Sequence, residues 1–268
     1  MLQVLPPPPD MAHWIDGAVI VRLASAAGSH FPAIPHGMLS LRLAQVADRF
    51  PARRVLCPPI TFHTLSTVPV FHPHAGEFAA LGLLVRPSAA ACLLGHATGA
   101  VADQVLGWDT VAGAHEALRV EEAVDRSRTD IECLRALAAS FRRTMAIVSR
   151  GREAGHARLC DAVGRHGAQA GWHLGLGHRQ LERHCREILG VTPKQFQRLT
   201  RFHGALSTAL TARPARMVDV ALEAGYYDQS HFASETRHLA GAPMGALLSA
   251  ALPDSPWWPL AARRLLGG

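Results

Sequence analysis

Short apolar runs broken by turn residues fill the first 110 or so positions of the chain, and apolar residues at helical spacing dominate from there on. Stretches 18–21, 38–43 and 79–85 read as short strands separated by Pro and Gly, the pattern of a β-sandwich or barrel-like domain. Between 114 and 150, Leu118, Val120, Val124, Ile131, Leu134, Leu137, Phe141, Met145 and Val148 recur mostly every three or four residues. That periodicity predicts amphipathic helix, which either packs on the sheet of its own domain or pairs with its equivalent in a second subunit. A later helix over 194–210 carries Phe196, Leu199, Phe202 and Leu206 on one face.

The most informative pattern lies over 217–243. Residues 217–224 form a short amphipathic helix, and Gly225 ends it, because glycine accepts the left-handed turn such an end needs. Asp228 stands where a side-chain acceptor opens the next helix. In that helix Phe232, Thr236 and Leu239 fall on the inward face; Gln229, Ser230, Ala233, Ser234 and Arg237 fall outward. Two helices joined by a tight turn, the second presenting polar side chains, make a helix-turn-helix, which places its second helix in the DNA major groove. A weaker copy lies upstream. Gly171 aligns with Ala221, Gly175 with Gly225, Leu181 with Phe232 and Gly190 with Gly241, with one extra residue in the second turn. Residues 194–210 form the linking helix.

Tandem units at matching offset, with the run from Gly225 to Phe232 and the Gly241-Ala242-Pro243 that follows, resemble the DNA-binding half of AraC/XylS-type transcriptional regulators. The resemblance covers about residues 156–250. It implies two recognition helices in successive major grooves of double-stranded promoter DNA, RNA polymerase as a partner, and a homodimer. The first helix offers Arg179, Gln180, Glu182 and Arg183; the second offers Gln229, Ser230, His231, Ala233 and Ser234, with Arg237 near phosphate. Arg or Gln would read guanine or adenine edges, and helix N-termini with Arg186 or Arg198 would hold phosphates. Several positions depart from the family pattern. Gly177 stands where a Ser cap is usual, Cys185 and Thr236 replace aromatics, Ser234 replaces a frequent Arg, and Gly171 replaces a small helix former. In the first half, Trp14, the turn Pro35-His36-Gly37 and the stretches 85–90 and 93–96 resemble the N-terminal domain of one branch of these regulators. In the wider family such domains often bind a small effector in a cupin-like barrel.

The expected fold class is therefore α+β: a β-rich N-terminal domain, cupin-like barrel or sandwich, followed by an all-α domain with two helix-turn-helix units. The expected boundaries are 1–113 for the sensor domain, 114–150 for the helical segment, 151–155 for a linker, 156–250 for the DNA-binding domain and 251–268 for a tail.

Charge agrees with this division. Residues 1–120 hold seven Arg against seven Asp and Glu; residues 156–250 hold eleven Lys and Arg against seven acids, a net +4. The excess sits where phosphates would be met. Five cysteines without paired spacing argue against a disulfide frame or zinc site and for a cytoplasmic location. Neither a signal peptide nor a membrane span is read from the chain. Histidines 63, 72, 74 and 96 could gather at one end of a barrel, and His72-Pro73-His74 with Glu77 resembles a metal set; Pro73 interrupts the strand that would align them. No metal or other cofactor is expected, and no catalytic motif stands out. A cupin-like metal-dependent enzyme with a helical appendage is the alternative reading, and a relative that has lost specific DNA binding is a third.

Overall fold

The structure is a computed structural model that describes residues 2–23, 28–46, 53–73, 78–95, 102–149, 151–211 and 216–249. The N-terminal half is built on a six-stranded antiparallel sheet. Its strands are β1 (Leu2–Leu5), β2 (Ile15–Leu23), β4 (Gly37–Val46), β5 (Arg53–His63), β7 (Phe78–Val85) and β8 (Val105–Gly107), in the spatial order β1-β2-β7-β4-β5-β8. β3 (Gly28–Phe31) and β6 (Val70–Pro73) form a separate antiparallel pair. Period-two alternation gives the large sheet two faces. Leu39, Leu41, Leu43, Ile60 and Phe62 point into a buried core shared with helices. Met38, Ser40, Arg42, Thr61 and His63 line the other face, opposite Ser29, Phe31 and His72 of the small sheet.

Helices cover the core face: α1 (Pro87–Leu94), α2 (Trp108–Ala112), α3 (Ala114–Arg126) and α4 (Asp130–Val148). The periodic stretch over 114–150 is thus two helices on the sheet of the same chain. Their break at 127–129 is a reciprocal cap: the Glu132 amide donates to Thr129 Oγ1 at 3.2 Å, and the Thr129 amide to Glu132 Oε2 at 3.1 Å. Val120, Val124, Leu137, Phe141 and Met145 are buried, whereas Leu118 stands 60% exposed.

Seven helices follow among the described residues: α5 (Glu153–His166), α6 (Ala170–Leu174), α7 (His178–Leu189), α8 (Pro193–Thr211), α9 (Met217–Glu223), α10 (Gln229–Ala240) and α11 (Met244–Ser249). α5 begins inside the stretch read as linker, so Gly155 is helical. The tail after 250 lies outside the described residues, as do His74, Glu77 and His96 of the histidine group.

The two halves touch through specific groups. Ala33 and Leu65 are buried in one core with Phe196, Phe202 and Phe232. The Ala33 amide donates to the Leu239 carbonyl of α10 at 2.7 Å, and Cys92 Sγ lies 3.3 Å from His156 Nδ1 between α1 and α5. Burial pushes the Cys92 thiol up to about 11, which suits a hydrogen-bonding rather than a nucleophilic sulfur.

Candidate nucleic-acid interface

α9 and α10 enclose the second turn. Gly225 has φ +77°, and the Tyr226 amide closes the helix end on the Ala221 carbonyl at 2.9 Å. Asp228 Oδ1 accepts from the His231 amide at 2.7 Å, the capping contact expected of it. Phe232, Thr236 and Leu239 are buried, and Thr236 Oγ1 donates back to the Phe232 carbonyl at 2.8 Å, satisfying its hydroxyl. Gln229, Ser230, His231, Ser234 and Arg237 are exposed and Ala233 is half-buried.

The first unit repeats this geometry with one residue fewer in the turn. Gly175 has φ +67°, and the Leu176 amide bonds the Gly171 carbonyl at 2.9 Å. The shorter turn brings the Leu176 carbonyl oxygen within 2.5 Å of where a Cβ on Gly171 would stand. Glycine replaces the expected small helix former because backbone occupies the space. Gly177 offers no side-chain cap; instead Gln180 Oε1 accepts from the Gly177 amide at 3.1 Å. Gln180, expected at a base, therefore has one end occupied at the helix start. Arg179, Arg183 and Arg186 are exposed, Glu182 is half-buried, and Arg183 lies 3.8 Å from Glu187 one turn on. Burial pushes the Cys185 thiol up to about 12, so it packs as a neutral group. Gly190 and Gly241 end the two recognition helices alike, at φ +72° and +71°.

Arg198, expected at a phosphate, is held elsewhere. Its Nε donates to Glu235 Oε2 at 3.0 Å, while Arg201 Nη2 donates to Oε1 at 2.9 Å and the Tyr226 hydroxyl to the same oxygen at 3.1 Å. The Arg201 guanidinium also lies 4.2 Å from the centre of the Tyr226 ring. Burial alone would raise the Glu235 pKa, but the hydrogen bonds from Arg201 and Arg198 hold it below the usual carboxylate range. The sequence reading missed this cluster. The available signal was a carboxylate one residue before inward-facing Thr236, with two arginines three apart on the linking helix.

A second feature is a cavity of about 140 Å³ between the two sheets. Val19, Phe31, Met38, Ala80 and Gly82 give it an apolar lining, and a Cβ on Gly82 would meet Val19 at 3.4 Å. Along one wall Ser40 Oγ lies 3.2 Å from Thr61 Oγ1, which lies 3.1 Å from His63 Nε2. Burial, then the nearby His72 and Arg42, lower the His63 pKa to about 4, so its ring is neutral at pH 7. His63 and His72 stand with ring centres 5.0 Å apart. No group of three or more metal-ligating side chains occurs among the described residues, and no helix there is long and apolar enough to cross a membrane.

Comparison with known proteins agrees with the repeat geometry. Residues 172–250 match the family described as helix-turn-helix domain. No curated protein matches the chain. Among solved structures, ToxT from Vibrio cholerae O395 aligns over 87% of this chain and 96% of its own, at 11% identity and TM-score 0.48. The same protein from strain SCE256, solved with an unsaturated fatty acid bound, aligns over 86% and 94%, at 10% identity and TM-score 0.48. With its two glycine-closed turns and its two outward-facing second helices, the C-terminal region, residues 172–250, is similar to the helix-turn-helix domain family.

Proposed function

We propose that this protein is a cytoplasmic DNA-binding transcriptional regulator, acting by binding rather than by catalysis. Its two recognition helices, α7 and α10, enter successive major grooves of promoter DNA. The observation that carries this reading is the repeat itself: two glycine-closed turns, each followed by a second helix whose outward side chains are mostly exposed. α7 offers Arg179, Glu182 and Arg183, with Arg186 at phosphate; α10 offers Gln229, Ser230, His231, Ala233 and Ser234, with Arg237 at its edge. A small molecule in the cavity between the sheets controls this binding. The coupling is short, because the segment that holds the Leu239 carbonyl at Ala33 directly follows cavity-lining Phe31. RNA polymerase and a second copy of the chain are the protein partners of this reading. Residues 1–113 act as sensor and 156–250 as DNA-binding domain, joined through α3 and α4.

The test is selection of bound sites from a random duplex pool, followed by titration. Arg183→Ala and Gln229→Ala should each weaken binding to the selected site by about 1–3 kcal/mol, with much smaller losses on random DNA. Equal losses on both would remove them as base readers. Affinity should fall linearly on a log–log plot against salt; a flat response and an unenriched pool would overturn the proposal.

A further inference from the structure

The linking helix α8 joins the two units in sequence, and its polar bonds to α10 come from Arg198 and Arg201. α8 runs about 28 Å for its 19 residues at 1.5 Å each. The chain leaves it at Thr211, passes through α9, and returns, so that α10 is anchored beside Arg198 and Arg201. Those residues lie five and eight positions after Pro193, in the half of α8 next to the first unit. Phe232 and Leu239 share one buried core with Phe196, Leu199 and Phe202, and such apolar burial is non-directional. They bury one face of α10 against the core, and polar contacts add a constraint on angle to that packing. The directional side-chain contacts between α8 and α10 are those of Glu235, beside the backbone bond from Ala33 to Leu239 at the end of α10. One carboxylate, its side chain only 6% exposed, takes an arginine on each oxygen and a tyrosine hydroxyl from the turn. Each arginine gives the carboxylate one charge-assisted N–H bond, and such bonds constrain angle as well as distance. Glu235 follows outward-facing Ser234 directly, so turning α10 about this anchor moves Ser234 and Gln229 with it.

We infer that Glu235 is a positioning residue that fixes the rotation of the second recognition helix on α8, and so sets the half-site spacing the protein accepts in DNA. It also withholds Arg198 and Arg201 from the phosphates. The inference rests on the DNA-binding reading above and concerns how the two units are registered.

The experiment uses the full chain and a duplex pool in which the selected half-sites are separated by spacers one or two base pairs shorter or longer. Wild type should favour one spacing over its neighbours by about tenfold or more, the discrimination a single mismatched position typically carries. In Glu235→Gln and Glu235→Ala that preference should fall to a few-fold, with neighbouring spacings recovered from the pool. The log–log salt slope should steepen by about 0.9 for each arginine released to a phosphate. A residue that only stabilised the fold would lower the melting temperature and leave both readouts where they were; that result overturns the inference. If either variant fails to fold, Arg198→Gln removes one of the two arginine bonds and carries the same test. A wild type that enriches no sequence overturns the DNA-binding reading and this inference together. A wild type with a preferred spacing that Glu235→Gln retains overturns this inference alone.

Discussion

The two helix-turn-helix units share a backbone plan and differ in how it is secured. The first unit closes a shorter turn, starts its recognition helix without a side-chain cap, and keeps Cys185 and Leu181 as an uncharged interior. Its outward face is strongly charged: Arg179, Glu182, Arg183, Arg186 and Glu187. The second unit caps with Asp228 and buries a carboxylate bound by two arginines and a tyrosine. It also lends the Leu239 carbonyl to the N-terminal half, and its outward face is mostly uncharged. The first is thus free at its surface and simple inside; the second is quiet at its surface and tied on two sides. Such a pair divides labour physically. In the proposed DNA-binding reading the charged helix would draw in phosphate and guanine, while the second helix is tied to its neighbour and to the cavity-bearing half.

The largest expected effect falls on the tied unit. Glu235→Ala leaves two half-buried arginines unpaired and should cost about 2–4 kcal/mol of stability, read by denaturant unfolding. Acid should reach the same contact. The folded pKa of Glu235 lies below its ordinary value, so its contribution is complete above the ordinary carboxylate pKa and drains as pH falls through the folded one. Wild type should therefore lose stability in that acidic window more steeply than Glu235→Gln. Parallel pH profiles would remove the contrast drawn between the units.

Next comes the turn. Gly171→Ala places a methyl against the Leu176 carbonyl and should destabilise by about 1–3 kcal/mol, since backbone must move to admit it. The mirror change in the second unit, Ala221→Gly, has no clash to relieve and should cost about 1 kcal/mol through helix propensity. Opposite substitutions at equivalent positions would then both destabilise, for different reasons. A neutral Gly171→Ala would mean that the shorter turn has slack, and the distinction between the turns would go.

These contrasts bear on what the sequence made legible. Glycine turns, the Asp228 cap and the inward apolar residues are local features, and each was readable from a few neighbouring positions. The longer strands β2, β4 and β7 were readable because apolar runs fill them. β5 was not, since Pro58 and Pro59 argue against a strand; they fall where the pairing with β4 shifts between Ser40 and Arg42, a bulge that needs no amide from them. β1, β3, β6 and β8 are three or four residues each, too short for a period to register. The Glu235 cluster was hidden for another reason. Its partners lie 34 and 37 residues away along the chain, and only the return of α10 onto α8 brings them together. For the same reason Arg198 read as a surface cation; Gln180 read as a base reader although its side-chain carbonyl accepts from the Gly177 amide, a local contact three residues away.

The smallest effects sharpen the comparison most cheaply, because they touch only helix starts. Asp228→Ala removes the acceptor for the His231 amide and should cost about 1 kcal/mol. Gly177→Ser should do the reverse in the first unit and stabilise by a few tenths of a kcal/mol, the small difference usual between Gly and Ser at this position. Gly177 has φ −67° and ψ 157°, an extended conformation that serine adopts freely, and the nearest atom to an added Cβ is Gln180 Oε1 at 3.7 Å. A serine hydroxyl there can take a backbone amide of the first turn while Gln180 still serves the residue's own amide, completing the reciprocal cap. Thermal unfolding should then move in opposite directions for the two variants. If Gly177→Ser lowered the melting temperature, the glycine would be required by the turn itself, and the first unit would be as tightly built as the second.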